Sequence, residues 1–194
     1  MPPSADTTDA QVEAGLIADV GRGDREAFRA LYSRYKVPLF SLAVRMVGNS
    51  SDAEELLQDT FVKIWRGASS YDPGESRPFT WVVTILRRTC IDYFRRKRTH
   101  LGSTPLLDVN GAPPEIHSRD DTRRATQDSE DSSLLRGALA EVPAGQRQAL
   151  ELVLFSGMTH TEIAQRLQEP VGTIKSWIRR GLLQLRTHLE NSAP

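Results

Sequence analysis

The chain has 194 residues, 39% of them hydrophobic, and its 25 Lys+Arg are balanced by 25 Asp+Glu. That length admits one or two domains with a real core, and the zero formal net charge excludes a uniformly basic nucleic-acid binder but not a chain with segregated charge. A single cysteine, Cys90, excludes an internal disulfide and a thiolate zinc cluster, and no run approaches ~18 apolar residues, so no membrane span is expected.

The polar N-terminus does not read as a signal peptide, and a reducing, cytoplasmic setting is expected. Residues 1–12 read as a disordered lead-in, with Val12, Leu16, Ile17 and Val20 marking a short first helix. Gly21 and Gly23 stop it, and Asp24 is placed to cap the next. That helix carries Phe28, Leu31, Tyr32, Tyr35, Leu39, Leu42, Ala43 and Met46, and Pro38 predicts a kink or split near Tyr35. After Gly48-Asn49-Ser50, Ser51 or Asp52 is expected to cap a helix through Trp65, with Ala53, Leu56, Leu57, Thr60, Phe61 and Ile64 along one side. Residues 67–78 hold two glycines and two prolines and read as a loop. Phe79, Val82, Val83, Leu86, Cys90, Tyr93 and Phe94 then form a regular helical stripe.

Residues 101–132 lose this periodicity and carry seven acids against three arginines, with three prolines. They read as a flexible acidic linker. Helical signal returns at Leu134, with breaks at Pro143, Ser156-Gly157 and Glu169-Pro170. The predicted fold class is all-α: two small helical domains, 13–100 and 133–190, on either side of that linker.

The charge is segregated. Residues 87–98 hold six basic side chains and one acid, and residues 170–189 hold Lys175, Arg179, Arg180 and Arg186 with no acid. Two basic helices, each with an opposing apolar stripe, favour nucleic acid. Tyr71, Phe79 and Trp81 lie at the loop opening the first; aromatics beside arginines can stack on unpaired bases, although Trp81 alone reads as the lid of a small core.

Residues 159–189 have the pattern of a helix-turn-helix. Thr159 or Thr161 caps a helix with Ile163, Ala164 and Leu167 inward, 168–172 makes the turn, and Thr173 opens the second helix. With Ile174 as zero on a wheel, Ile178, Gly181, Leu185 and Leu189 fall within about 60° of it. Lys175, Ser176, Arg179, Arg180 and Arg186 occupy the outer arc, and Trp177 lies at the edge of the core. A helix offering Lys, Ser and Arg outward suits a DNA major groove.

Three segments together resemble the extracytoplasmic-function group of bacterial sigma factors, in the sigma-70 family. DREAFRALYSRYKVPLFSLAVRMVG (24–48) is similar to region 2.1, and SDAEELLQDTFVKIWRGA (51–68) to region 2.2. PFTWVVTILRRTCIDYFRRKR (78–98) is similar to regions 2.3 and 2.4, and PVGTIKSWIRRGLLQLR (170–186) to region 4.2. The resemblance implies binding to core RNA polymerase, its β′ clamp helices above all and also β, through Asp52, Glu55, Gln58, Asp59 and Phe61. It implies contact with the minus-ten promoter element through Arg77, Phe79, Trp81, Arg87, Arg88, Arg95 and Arg96. It implies contact with the minus-thirty-five element through Thr173, Lys175, Ser176, Arg179 and Arg180. An anti-sigma protein is the further partner it implies. The chain departs from the family at Arg88, where an Asn often helps hold the promoter base, and at Trp177, where a smaller or basic residue is usual.

No cofactor, metal or catalytic residue is expected. The paired acids Glu54-Glu55 and Asp120-Asp121 lack a partnered base, the four histidines are scattered, and Cys90 lies on an apolar stripe. Two other readings stay open on the residues alone. A helix-turn-helix repressor would protect palindromic duplex by itself, and a small nuclease would need clustered carboxylates.

Overall fold

The computed structural model describes residues 5–100, 135–156 and 158–191; the expected linker, 101–132, lies outside them. No strand occurs among the described residues. The N-terminal body has four helices, α1 (Ala5–Gly21), α2 (Arg25–Val47), α3 (Ser50–Gly67) and α4 (Pro78–His100), with a 3-10 turn at Ala68–Ser70. The C-terminal body has a helical stretch at 135–140, then α5 (Ala144–Leu154), α6 (His160–Leu167) and α7 (Val171–Asn191).

The helix ends follow from local chemistry. Asp24 caps α2 as expected, its carboxylate accepting from the backbone N–H of Glu26 at 2.8 Å and of Ala27 at 3.1 Å. Gly48 ends α2 at φ 84, a left-handed position that glycine reaches without strain. Thr159 and Glu162 form a reciprocal capping box on α6.

Four expectations need correction. The N-terminus is helical from Ala5, inside the segment read as disordered, and Asp9 on it pairs with Arg34 of α2 at 2.6 Å. Helix α2 runs through Pro38 without a split. The ring removes one backbone donor, but Tyr35, Leu39 and Leu42 around it are fully buried, and that packing outweighs the lost bond. The cap of α3 is Asn49, not Ser51 or Asp52; its side chain accepts from the Asp52 N–H at 2.8 Å. Helix α7 starts at Val171, two residues before Thr173, because the turn closes over 168–170 with Gln168 in a left-handed conformation at φ 56.

The cores follow the sequence stripes. Ile17, Leu31, Tyr35, Leu56, Ile64, Val82 and Leu86 fill the N-terminal body, and Leu135, Leu150, Ile163, Ile174 and Leu185 the C-terminal one. Gly181 lets α7 cross α5 closely: a Cβ there would sit 2.6 Å from Leu150 Cδ1. Trp177 packs on Gly145, at the edge of the core as expected. The two bodies also pack on each other, so their buried residues form one continuous cluster.

Candidate nucleic-acid interface and acidic docking face

On α3 the apolar side faces α2, and a polar side faces out. Glu54, Glu55 and Gln58 are exposed, joined by Val62 at 47% exposure and by Tyr32 of α2 at 41%. Tyr32 rests against the Phe61 ring with centroids 4.6 Å apart. Phe61 itself is 3% exposed and supports this surface from beneath. The exposed apolar pair Tyr32 and Val62 escaped sequence reasoning. Tyr32 lay on a predicted core stripe, and Val62 stands in an apolar run, Phe61-Val62-Lys63-Ile64-Trp65, whose other apolar members face inward.

The other flank of α3 meets the basic end of α4. Asp52 accepts from Asn49 Nδ2 at 2.6 Å and from the Tyr93 hydroxyl at 2.5 Å, and Lys97 Nζ lies 3.5 Å away. Partial burial opposes the Asp52 charge, but hydrogen bonds from Asn49 and Tyr93 and the Lys97 ammonium hold its carboxyl below its ordinary value. Asp59 pairs loosely with Arg96 at 3.9 Å, and Lys63 bridges to Asp92 at 3.5 Å. Asp52 and Asp59 are therefore partly spent inside this body, whereas Glu55 and Gln58 face solvent.

Helix α4 divides its predicted contacts between two faces. Trp81, Ile85 and Arg88 lie one turn apart along one side, with Arg88 exposed and the other two half-buried. The Trp81 ring packs on Tyr71 with centroids 5.1 Å apart, and the Tyr71 hydroxyl donates to the Ser76 carbonyl at 2.8 Å. Burial pushes the Tyr71 phenol up to about 12. The loop aromatics thus close a core and leave part of Trp81 outward. Arg95 and Arg96 are exposed farther along the helix.

Arg77, Phe79 and Arg87 lie instead where α4 meets α7. Phe79 is 5% exposed and lies beneath the Arg186 guanidinium, so it does not face solvent in this arrangement. Arg77 and Arg179, predicted for different promoter elements, line one cleft with Asp9, Glu13, Arg186 and Glu190. Arg87 lines a second cleft with His160, Met158, Ile178 and Leu182. Burial, then the neighbouring Arg88 charge, lowers the Arg87 pKa. Burial, then Lys175 and Arg87, lowers that of His160.

On α7 the structure brings the predicted reading residues together. Lys175, Ser176, Arg179 and Arg180 are exposed, and Thr173 is half-buried. Ser176 Oγ donates to the Thr173 carbonyl at 2.9 Å, and Arg180 Nε donates to the Ser176 carbonyl at 3.3 Å, which lays the guanidinium along the helix. Arg186 does not join this face. It is 5% exposed, pairs with Glu13 of α1 at 2.5 Å, and stacks over the rings of Tyr35 and Phe79 at 5.1 and 5.4 Å. Helix α7 outlasts the helices it packs on in its own body, so its C-terminal half is buried by the other body on a face the wheel had left to solvent.

Glu13 was missed by sequence reasoning, although a signal existed. It falls on the stripe of Ile17 and Val20 at i+4 and i+7, a carboxylate where an apolar side chain is expected.

Comparison with known proteins follows the same division. The family described as sigma-70 region 2 matches residues 31–100, and that described as sigma-70 region 4 matches residues 132–185. The chain is 31% identical to the ECF RNA polymerase sigma factor SigK of Mycobacterium sp. (strain KMS), over 94% of this chain and 92% of that protein. It is also 31% identical to the ECF RNA polymerase sigma factor RpoE of Cereibacter sphaeroides, over 86% of this chain and 88% of that protein. Among solved structures it matches the sigma factor RpoE in complex with the anti-sigma factor NepR from Bartonella quintana, at 22% identity and a TM-score of 0.41, covering 88% of this chain and 100% of that one.

Proposed function

The chain belongs to the extracytoplasmic-function RNA polymerase sigma factors of the sigma-70 family, and on that premise we propose that it docks on core polymerase through α3 and reads promoter DNA through α4 and α7. Glu55 and Gln58, with the exposed Tyr32 and Val62, form the centre of the polymerase contact. An apolar pair beside exposed carboxylate and amide groups suits a protein interface. Asp52 and Asp59 flank it and hold α4 against α3. Trp81 and Arg88 address the minus-ten element, with Arg95 and Arg96 on the adjoining phosphates. Ser176 and Arg180 address base edges of the minus-thirty-five element, and Lys175 and Arg179 its phosphates. Arg77 and Arg87 join the minus-ten contacts once the two bodies separate. An anti-sigma protein is the regulator we assign, and the cytoplasm, where polymerase works, is the compartment. No catalytic role is assigned.

The observation that carries this reading is the coexistence of two basic helical faces, α4 and α7, on two bodies with an acidic, apolar-centred face on α3, ahead of both in sequence. A repressor needs no such third face. The test is pull-down with core polymerase followed by run-off transcription. The double variant Glu55→Ala, Gln58→Ala should lose at least tenfold in core affinity, about 1.4 kcal/mol, with helical content unchanged. Undiminished affinity and full run-off activity would reject the docking face.

A further inference from the structure

Glu13 and Arg186 are the two charged residues that are buried among those described, at 2% and 5% exposure, and they pair with each other across the two bodies. Neither lies in the acidic docking face or among the DNA-reading residues. We propose that this pair is a latch, holding the free chain in a closed form that promoter DNA cannot use and that opens when core polymerase binds. The inference rests on the sigma-factor reading above for what the open form does, but not for the closed form itself.

Geometry supplies the first argument. Elements named for positions 25 base pairs apart lie roughly 85 Å apart on straight B-DNA, at about 3.4 Å per base pair. Here α4 and α7 touch, with the Arg186 guanidinium 5.4 Å from the Phe79 ring. One molecule in this form cannot place both helices on their elements. The face of α4 that carries Thr80, Val83, Thr84 and Arg87 moreover lines a cleft whose other wall is the C-terminal body.

The second argument concerns reversibility. A buried ion pair resists separation when each charge would be left alone. Here each partner keeps a counter-charge within its own body. Arg34 Nε lies 2.7 Å from Glu13 Oε1, and Arg186 Nε donates to Glu190 Oε1 at 2.7 Å. Opening therefore breaks the cross-body bond without stranding either charge, a feature that a purely structural bridge does not need. A second cross-body contact, Arg45 over the Phe155 ring at 5.6 Å, is also a cation on an aromatic face and separates with the same ease.

The experiment measures an inter-body distance in the full chain. Ser33→Cys and Gln184→Cys, both at exposed positions, take spectroscopic labels. The native Cys90 is buried, and burial pushes its thiol up to about 12, so it does not compete for label. The labelled parent should show one short distance. Glu13→Gln should add a broad, long-distance population and raise free-chain binding to minus-thirty-five duplex by about tenfold, with helical content and run-off activity of assembled holoenzyme unchanged. Glu13→Asp, which keeps the charge between Arg34 and Arg186, should retain most of the short-distance population. An unaltered distance distribution in Glu13→Gln overturns the latch, as does a parent chain that is already open. These distances need neither polymerase nor promoter, so they hold or fall separately from the docking test above.

Discussion

Two charged seams run through this protein and behave differently. The seam between α3 and α4 is open to water: Arg96 and Asp59 are 61% and 47% exposed and 3.9 Å apart. The seam between α1 and α7 is dry: the side chains of Arg186 and Glu13 are 6% and 3% exposed and 2.5 Å apart. Water screens the first, so its pairs add little to stability and remain free to exchange partners. In the second, burial works against the Arg186 charge, and the hydrogen bonds it donates to Glu13 and Glu190 overcome that cost and hold the guanidinium above its ordinary pKa. The wet seam tunes a surface, whereas the dry seam decides whether two bodies stay together.

The largest expected effect is a contrast between matched substitutions. Arg186→Met keeps the aliphatic stem over Tyr35 and Phe79 and removes the charge. Breaking a buried pair costs about 3–5 kcal/mol when a charge is stranded; with Arg34 still beside Glu13, a loss of about 2–3 kcal/mol is expected. Arg96→Met should cost under about 0.5 kcal/mol. Urea unfolding of both variants measures this, and equal losses would erase the distinction between the seams.

A smaller effect sharpens the wet seam. The hydroxyl of Tyr93 donates to Asp52 at 2.5 Å and accepts from Lys97 Nζ at 2.8 Å, so this corner is better ordered than the Arg96–Asp59 pair. A double-mutant cycle of Tyr93→Phe with Asp52→Asn should return a coupling of about 1 kcal/mol. A coupling near zero would place Asp52 with the exposed pairs.

The wet seam was partly legible in the sequence and the dry seam was not. Its acids stand together on α3 and its bases together on the end of α4, so composition along the chain announces them. The stripes of α2, α3 and α4, the Asp24 and Thr159 caps, and the inward Gly181 were legible for a similar reason: each depends on neighbours within about one helical turn. Glu13 and Arg186 are separated by nearly the whole chain, and their pairing depends on how two bodies dock. Arg186 sits at about 120° from Ile174 on the wheel, which is surface for the home body and core for the other. The burial of Phe61 and Phe79 was not legible either. Each lies in a family motif, but the motif does not say which members support the surface and which form it.

The smallest effect is a pH dependence that separates the seams again. The folded-state pKa of Asp52 lies below its ordinary value, so the stability it adds is complete above the ordinary carboxylate range of about 4 and is lost as pH falls through the lowered value. Between pH 7.5 and 5.5 the wet seam therefore stays constant. His160 lines the cleft between the bodies, and burial, then Lys175 of α7 and Arg87 of α4, lower its pKa there. Above its ordinary value of about 6.5 it is neutral whether the bodies are together or apart, and packing is unaffected. Separation removes Arg87 and opens the cleft while Lys175 stays beside His160, so below that value the separated form binds a proton that the packed form resists, and the packed form loses stability as pH falls toward the lowered value. The label distance between positions 33 and 184 should lengthen modestly from pH 7.5 to 5.5 in the parent chain, and His160→Asn should flatten that response. A response of the same size in His160→Asn would assign it to another group and leave the dry seam independent of pH in this range.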